Sequence, residues 1–250
     1  MAKDGERNYL LNIGEEAVQH AVGLPFSDPN CGRFLVELGT LLALLPPSPI
    51  RILDLGCGTG WTSRFIARRG HDVLGIDICP DMIAHAKRQA ERDNLANLQF
   101  LICDYEELAF DGDFDAAVFF GALHHAVDPE LALRRVRTAL KPGGVCLTCE
   151  PGVGHEQTVE AQEAVRRFNV TERDMPPARI MELGRRAGFS RFRIVPHPCD
   201  LGSVCTAPPG VASSWLQSFS FGSAAVQAIR VLRFLREVPQ RSGIVVMEKT

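Results

Sequence analysis

No apolar run in this chain of 250 residues approaches the ~18 residues that a membrane-crossing helix needs, so stable membrane insertion is not expected. The opening segment, MAKDGERNYL, lacks the apolar core of a secretory leader, and the expected location is the cytoplasm. Blocks of five or more like charges are also missing, which removes the usual footprint of nucleic-acid binding. The 27 basic and 30 acidic side chains leave a net charge of only −3. Cysteines number eight, too few at this length for a disulfide scaffold. Two of them, Cys146 and Cys149, form a CxxC inside the apolar run VCLTC, which reads as a strand. Residues three apart in a strand point to opposite faces, so the pair cannot share a metal ion. What is present is a globular composition, 46% hydrophobic and 23% charged. A chain of this size is expected to bury roughly 70–75% of its unfolded surface.

From residue 50 onward, strand and helix signals alternate. Strands are expected over Arg51–Cys57, His71–Asp77, Leu98–Asp104, Phe114–Gly121 and Val145–Cys149, with helices over Trp61–Arg69, Pro80–Asn94 and Asp128–Leu140 between them. The run Lys141-Pro142-Gly143-Gly144 reads as a helix stop. Alternation of this kind predicts an α/β, doubly wound, mostly parallel sheet with helices on both faces. Two helical stretches precede it, around Leu10–Val22 and Gly32–Leu45. Beyond strand five, helices are expected at Glu156–Phe168 and Ala178–Ala187, a sixth strand at Arg191–Val195 and a seventh at Ile244–Glu248. An insertion over 196–243 contains an amphipathic helix near Ser223–Val238, whose face Ala225, Ile229, Leu232 and Leu235 is expected to pack on the domain. The expected organisation is a single domain over 1–250: an N-terminal helical lid (1–49), a core (50–150) and a second half (151–250).

The strongest chemical signal is Asp54-Leu55-Gly56-Cys57-Gly58-Thr59-Gly60, between the first strand and the first helix of the core. Glycines at such a junction let the backbone turn sharply and approach a ligand closely. Asp77 ends the second strand and Asp104 the third, and acids at the carboxyl ends of neighbouring parallel strands gather in one crevice. A dinucleotide fingerprint, G-x-G-x-x-G, would require glycine where Trp61 stands, which disfavours a nicotinamide enzyme.

The spacing D-x-G-x-G-x-G, the two strand-end acids, Asp113-Phe114-Asp115, the stretch Ala122–Asp128 and the Leu140–Gly144 turn together resemble the Class I S-adenosylmethionine-dependent methyltransferases over about residues 50–150. The resemblance implies S-adenosylmethionine as methyl donor, no metal, and a seven-stranded sheet whose last strand runs antiparallel beside the sixth. It implies that Gly56, Cys57, Gly58 and Gly60 wrap the methionine portion, with Asp54 near its amino group. Asp77 would hold the ribose, Ile78 and Met82 the adenine, and Asp104 and Tyr105 its amine edge. Gly121 and Ala122 would also meet the methionine end.

Cys57 is read as a small residue, and a nucleophilic role is not assigned to it. A hydroxyl acceptor benefits from a general base. His124 and His125 follow strand four and His155 follows strand five, all on the crevice side, and these are the catalytic candidates. The acceptor is expected to be a small molecule, a sugar, glycolipid or other hydroxyl; the run Glu150-Pro151-Gly152…His155 and Thr171–Pro177 resembles a bacterial subgroup associated with sugar chemistry. The alternatives are a lipid or quinone precursor as acceptor, or a noncatalytic donor-binding subunit. A homodimer is also consistent with the sequence.

Overall fold

The computed structural model describes residues 3–47, 49–200 and 223–250. Seven strands form one sheet: β1 (Arg51–Leu55), β2 (Asp72–Asp77), β3 (Leu98–Ile102), β4 (Phe114–Phe120), β5 (Leu140–Glu150), β6 (Arg191–Pro196) and β7 (Gly243–Glu248). Their order is β3-β2-β1-β4-β5-β7-β6. Strands β1 to β5 pair in parallel, and β7 lies antiparallel between β5 and β6. Alternate residues of each central strand serve opposite faces, and both faces are apolar because helices cover both. Ile52 thus packs in one layer with Val73, Val118 and Val246, while Leu53 and Leu55 pack in the other with Phe119 and Met247. Cys146 and Cys149 fall in different layers, as the period of a strand demands.

Strand order reverses between β1 and β4, which opens a crevice at the carboxyl edge of the sheet. Asp77, Gly121 and Glu150 all stand at that edge, at or just past the ends of β2, β4 and β5. Helices α1 (Asp4–Arg7), α2 (Tyr9–Asn12), α3 (Glu15–Gly23) and α4 (Cys31–Leu44) precede the sheet. Helices α5 (Trp61–Arg68), α6 (Pro80–Arg92) and α7 (Pro129–Ala139) connect its parallel strands. Helices α8 (Val159–Phe168), α9 (Pro177–Arg186) and α10 (Ser223–Glu237) belong to the second half. Asp128 caps α7 by accepting from the Leu131 amide at 2.9 Å, and Thr158 caps α8 through the Ala161 amide at 3.2 Å.

Three details differ from the sequence reading. The helix expected over Leu10–Val22 is two helices, α2 and α3, interrupted at Ile13-Gly14. The Lys141–Gly144 run does end α7, but it lies inside β5 as a bulge. The β4–β5 register jumps from Phe114↔Leu140 to Ala116↔Val145, and the Gly143 amide bonds to the Lys249 carbonyl at 2.7 Å. Ile229, Leu232 and Leu235 are exposed; among the described side chains of α10, Phe234 packs inward, with Val238 just past its end. Ala225's side chain lies outside the described residues, as does the 201–222 portion of the insertion. His71 and His197 are both buried. His197 Nε2 lies 2.7 Å from Glu37 of α4, tying the end of β6 to the N-terminal helices.

Candidate functional site

A cavity of about 480 Å³ occupies the crevice at the carboxyl edge. Its floor is the loop from β1 to α5. Gly56 and Gly58 there have φ of +66° and +53°, the left-handed region that glycine occupies at little cost. A Cβ at Gly56 would sit 2.6 Å from the Ala122 Cβ, whereas one at Gly58 would meet nothing within 4 Å. Gly58 therefore keeps its side of the cavity open, and Gly56 lets two loops touch. Gly60 is off the wall; its close neighbours are the Phe100 ring and Ala86, so its place is in helix–sheet packing.

Asp77 is held on the wall by two amides, Gly58 N–H to Oδ2 at 2.9 Å and Cys79 N–H to Oδ1 at 2.8 Å. Burial raises its carboxyl above the ordinary aspartate value, against the opposing pull of those amides. Ile78 and Met82 line the cavity beside it. Asp104 accepts from the Glu106 amide at 2.9 Å and from the Lys3 ammonium, which also reaches Glu106 at 3.1 Å. Tyr105 donates its hydroxyl to the Ala122 carbonyl at 3.1 Å, joining the loops after β3 and β4. Gly121, Ala122 and Cys57 complete this part of the wall. Burial pushes the Cys57 thiol well above its usual range, so it is a poor nucleophile.

Asp54 is not on the wall. It is buried beneath the loop, where Oδ2 accepts from the hydroxyls of Thr62 at 2.8 Å and Ser63. Burial lifts its carboxyl to about 6 despite those two bonds. Its contacts fasten the first turn of α5 to β1.

The three candidate histidines converge, but only His125 lines the cavity. Its Nδ1 is 2.7 Å from the Thr171 carbonyl, so that nitrogen carries the hydrogen. Burial, reinforced by His124, lowers its pKa below the ordinary imidazole value. His124 turns the other way, its Nδ1 2.7 Å from Glu150. His155 Nε2 is 2.8 Å from Glu172, and chiefly that bond raises its pKa. Burial would raise the Glu172 carboxyl, but the His155 bond and the three imidazoles together hold it below the usual glutamate value.

Sequence reasoning missed Glu172, Glu6 and Lys3. All three line the cavity, and Glu6 accepts from the Thr171 amide at 2.8 Å. Their partners lie far off in sequence, so no local pattern marks them. Phe34, Trp61 and Phe120 form an aromatic group at another part of the wall, with ring centroids 5.2–6.5 Å apart. Lys3 is the only Lys or Arg on the wall among the described residues, against five carboxylates.

A glycine cradle open to a cavity, with two carboxylates anchored beside it, fits an adenosyl ligand that presents ribose hydroxyls and an exocyclic amine as donors. Residues 52–144 match the family described as "Methyltransferase domain". The chain is 35% identical over 112 residues to the tRNA 5-carboxymethoxyuridine methyltransferase of Escherichia coli (strain K12), covering 44% of this chain and 43% of that protein. It is 35% identical over 96 residues to a ubiquinone biosynthesis O-methyltransferase of Acinetobacter baumannii, covering 38% and 40%. The match thus spans about two fifths of the length of these curated relatives. Among solved structures, it resembles phosphoethanolamine N-methyltransferase 2 of Haemonchus contortus in complex with S-adenosyl-L-methionine. That likeness has a TM-score of 0.66 and 20% identity, over 97% of this chain and 59% of the other. The shared property at that identity is the fold.

Proposed function

We propose that this protein transfers a methyl group from S-adenosylmethionine to a hydroxyl of a small molecule. The observation that carries the reading is one continuous cavity wall, running from the Gly56–Gly58 cradle and Asp77 to His125 and Glu172. The donor brings a sulfonium already activated for methyl transfer, so the protein's tasks are to hold the acceptor oxygen in line, exclude water and manage a proton. Asp77 and Asp104 would hold ribose and adenine, and the amides after β4 the methionine end. The N-terminal segment would close over the donor, with Lys3, Glu6, Tyr9 and Phe34 facing inward. His125, whose buried imidazole is neutral at physiological pH, and Glu172 are the polar groups placed to receive the acceptor's proton.

The scarcity of cationic side chains on the wall favours a small neutral acceptor over nucleic acid, because phosphate binding needs clustered Lys and Arg. A sugar hydroxyl suits the carboxylates. The Phe34–Trp61–Phe120 group favours a second reading, an acceptor bearing an apolar ring such as a quinone precursor. The protein would act in the cytoplasm.

The test is calorimetric titration with S-adenosylmethionine, its demethylated product and NAD in parallel, followed by an acceptor screen of sugars and phenols. Binding of both sulfur ligands and not NAD is expected. Failure of both to bind would overturn the reading, and donor binding with no turnover on any acceptor would leave a donor-binding subunit. With an acceptor in hand, His125→Ala should lower kcat by about 10²–10⁴-fold at unchanged donor affinity. The acid limb of the rate profile should lie below the ordinary imidazole value of 6.5, following the lowered pKa of His125.

A further inference from the structure

The rim of the cavity holds a cluster of ligating groups that the glycine cradle does not account for. His124 and His125 follow β4, Glu150 ends β5, His155 lies five residues on, and Glu172 returns from beyond α8. One ligating atom from each of His124, His125 and Glu172 lies within 4.8 Å of the other two. His124 decides how the cluster reads. Glu150 accepts from the amides of Ala122 at 3.0 Å and Leu123 at 2.8 Å, so its oxygens act as acceptors and His124 Nδ1 supplies the hydrogen between them. In the neutral ring, the lone pair is then on Nε2. That atom faces Glu172 Oε2 at 3.5 Å, with side-chain exposures of 9% and 11%. Two acceptors thus face each other in a nearly dry place, beside the 2.8 Å contact of Glu172 Oε2 with His155, and a shared proton, a metal ion or a water donating to both would relieve that pairing.

We propose that His124, His125 and Glu172 bind a divalent transition-metal ion of the Zn²⁺ and Fe²⁺ type. Two imidazoles and one carboxylate form a ligand set suited to those ions, whereas Mg²⁺ and Ca²⁺ prefer oxygen alone. The surroundings match what such ligands require. The Glu150 carboxylate on His124 Nδ1, at 2.7 Å, makes a carboxylate–histidine pair that orients the ring. His155 holds the Glu172 carboxylate at 2.8 Å. The charge balance also favours a cation: Glu6, Glu150 and Glu172 crowd together, while the neighbouring Arg173 guanidinium donates to the carbonyls of Ala126 at 2.6 Å and Val127 at 3.1 Å.

The inference deepens the methyl-transfer reading and rests on it for its purpose. His125 and Glu172 both line the cavity; with an ion bound they would be its ligands rather than proton acceptors, and the ion would instead bind the acceptor hydroxyl and lower its pKa. The hydroxyl proton would leave to solvent, and the oxygen would then take the methyl group.

The experiment uses the full chain, stripped with chelator and dialysed, then titrated separately with Zn²⁺, Co²⁺ and Mg²⁺ by calorimetry. Visible absorption of Co²⁺ reports coordination. A single Zn²⁺ or Co²⁺ per chain and no heat from Mg²⁺ are expected. His124→Ala and Glu172→Gln should each weaken binding by at least about tenfold, and Glu150→Gln by about 10–100-fold through the outer shell. His85→Ala, outside the cluster, should change nothing. Circular dichroism checks that each variant folds, and Glu172→Gln preserves side-chain shape should His124→Ala fail. Absence of stoichiometric binding, or binding undiminished in both ligand variants, overturns the proposal in favour of a shared proton. Each sample is also titrated with S-adenosylhomocysteine. Nucleoside binding without metal binding sinks the metal site alone; metal binding without nucleoside binding sinks the donor reading alone.

Discussion

The Gly58 amide donates to the Asp77 carboxylate at 2.9 Å, so the loop that shapes the cradle is fastened to the acid that stands beside it. On the proposed function, donor binding and loop geometry are therefore coupled through one side chain. Asp77→Ala removes both this bond and the one from Cys79. Hydrogen bonds to a charged group are worth about 1.5–3 kcal/mol each, so donor affinity should fall by at least about tenfold. Calorimetry with S-adenosylhomocysteine would measure it, and an unchanged affinity would remove Asp77 from the donor site.

Gly56→Ala and Gly58→Ala separate packing from ligand space. Both place an alanine at positive φ, which costs on the order of 1 kcal/mol. Only the first drives a methyl into Ala122, 2.6 Å away, so it should lose clearly more stability in denaturant melts. The Gly58 variant should stay folded and lose donor affinity, because its methyl projects into the cavity.

Asp54 makes stability depend on pH in the direction opposite to most carboxylates. Its folded pKa of about 6 exceeds the unfolded value of 3.8, so the folded state binds the extra proton between those values. Its contribution is fully present below the unfolded pKa and is lost as pH rises through the folded one. Replacing it by asparagine removes that slope. The stability of Asp54→Asn relative to wild type should improve by about 2 kcal/mol between pH 4.5 and pH 7, read from urea denaturation at both. A difference that stays constant with pH would show that Asp54 does not titrate there.

On α10, neighbours in sequence have opposite weights. Phe234 is 3% exposed and Leu232 is 61% exposed. Phe234→Ala should cost about 3–5 kcal/mol, whereas Leu232→Asp should stay within about 0.5 kcal/mol. Equal losses at the two positions would mean that the helix is rotated from the orientation described.

The strand–glycine–helix unit and the strand-end acids were legible without a structure, because each rests on local chemistry: apolar runs of strand length, glycines at the one junction that needs them, and a parallel sheet that brings its carboxyl ends to one edge. The order of elements over 50–150 and the separate faces of Cys146 and Cys149 follow from the same short-range periodicities. Tertiary structure decided the rest. His124 and His125 are adjacent in sequence, yet one turns to Glu150 and the other to the cavity, and the fold of a single short turn makes that choice. Glu6 meets the Thr171 amide across 165 positions, and Glu172 joins the histidines only because α8 brings its segment back over the crevice. Composition cannot foresee such meetings: a buried carboxylate is stabilised by whichever donors the packed chain sets around it, and those are chosen by topology rather than by neighbours in sequence. The orientation of α10 has the same origin, since packing buried Phe234 rather than Ile229, Leu232 and Leu235.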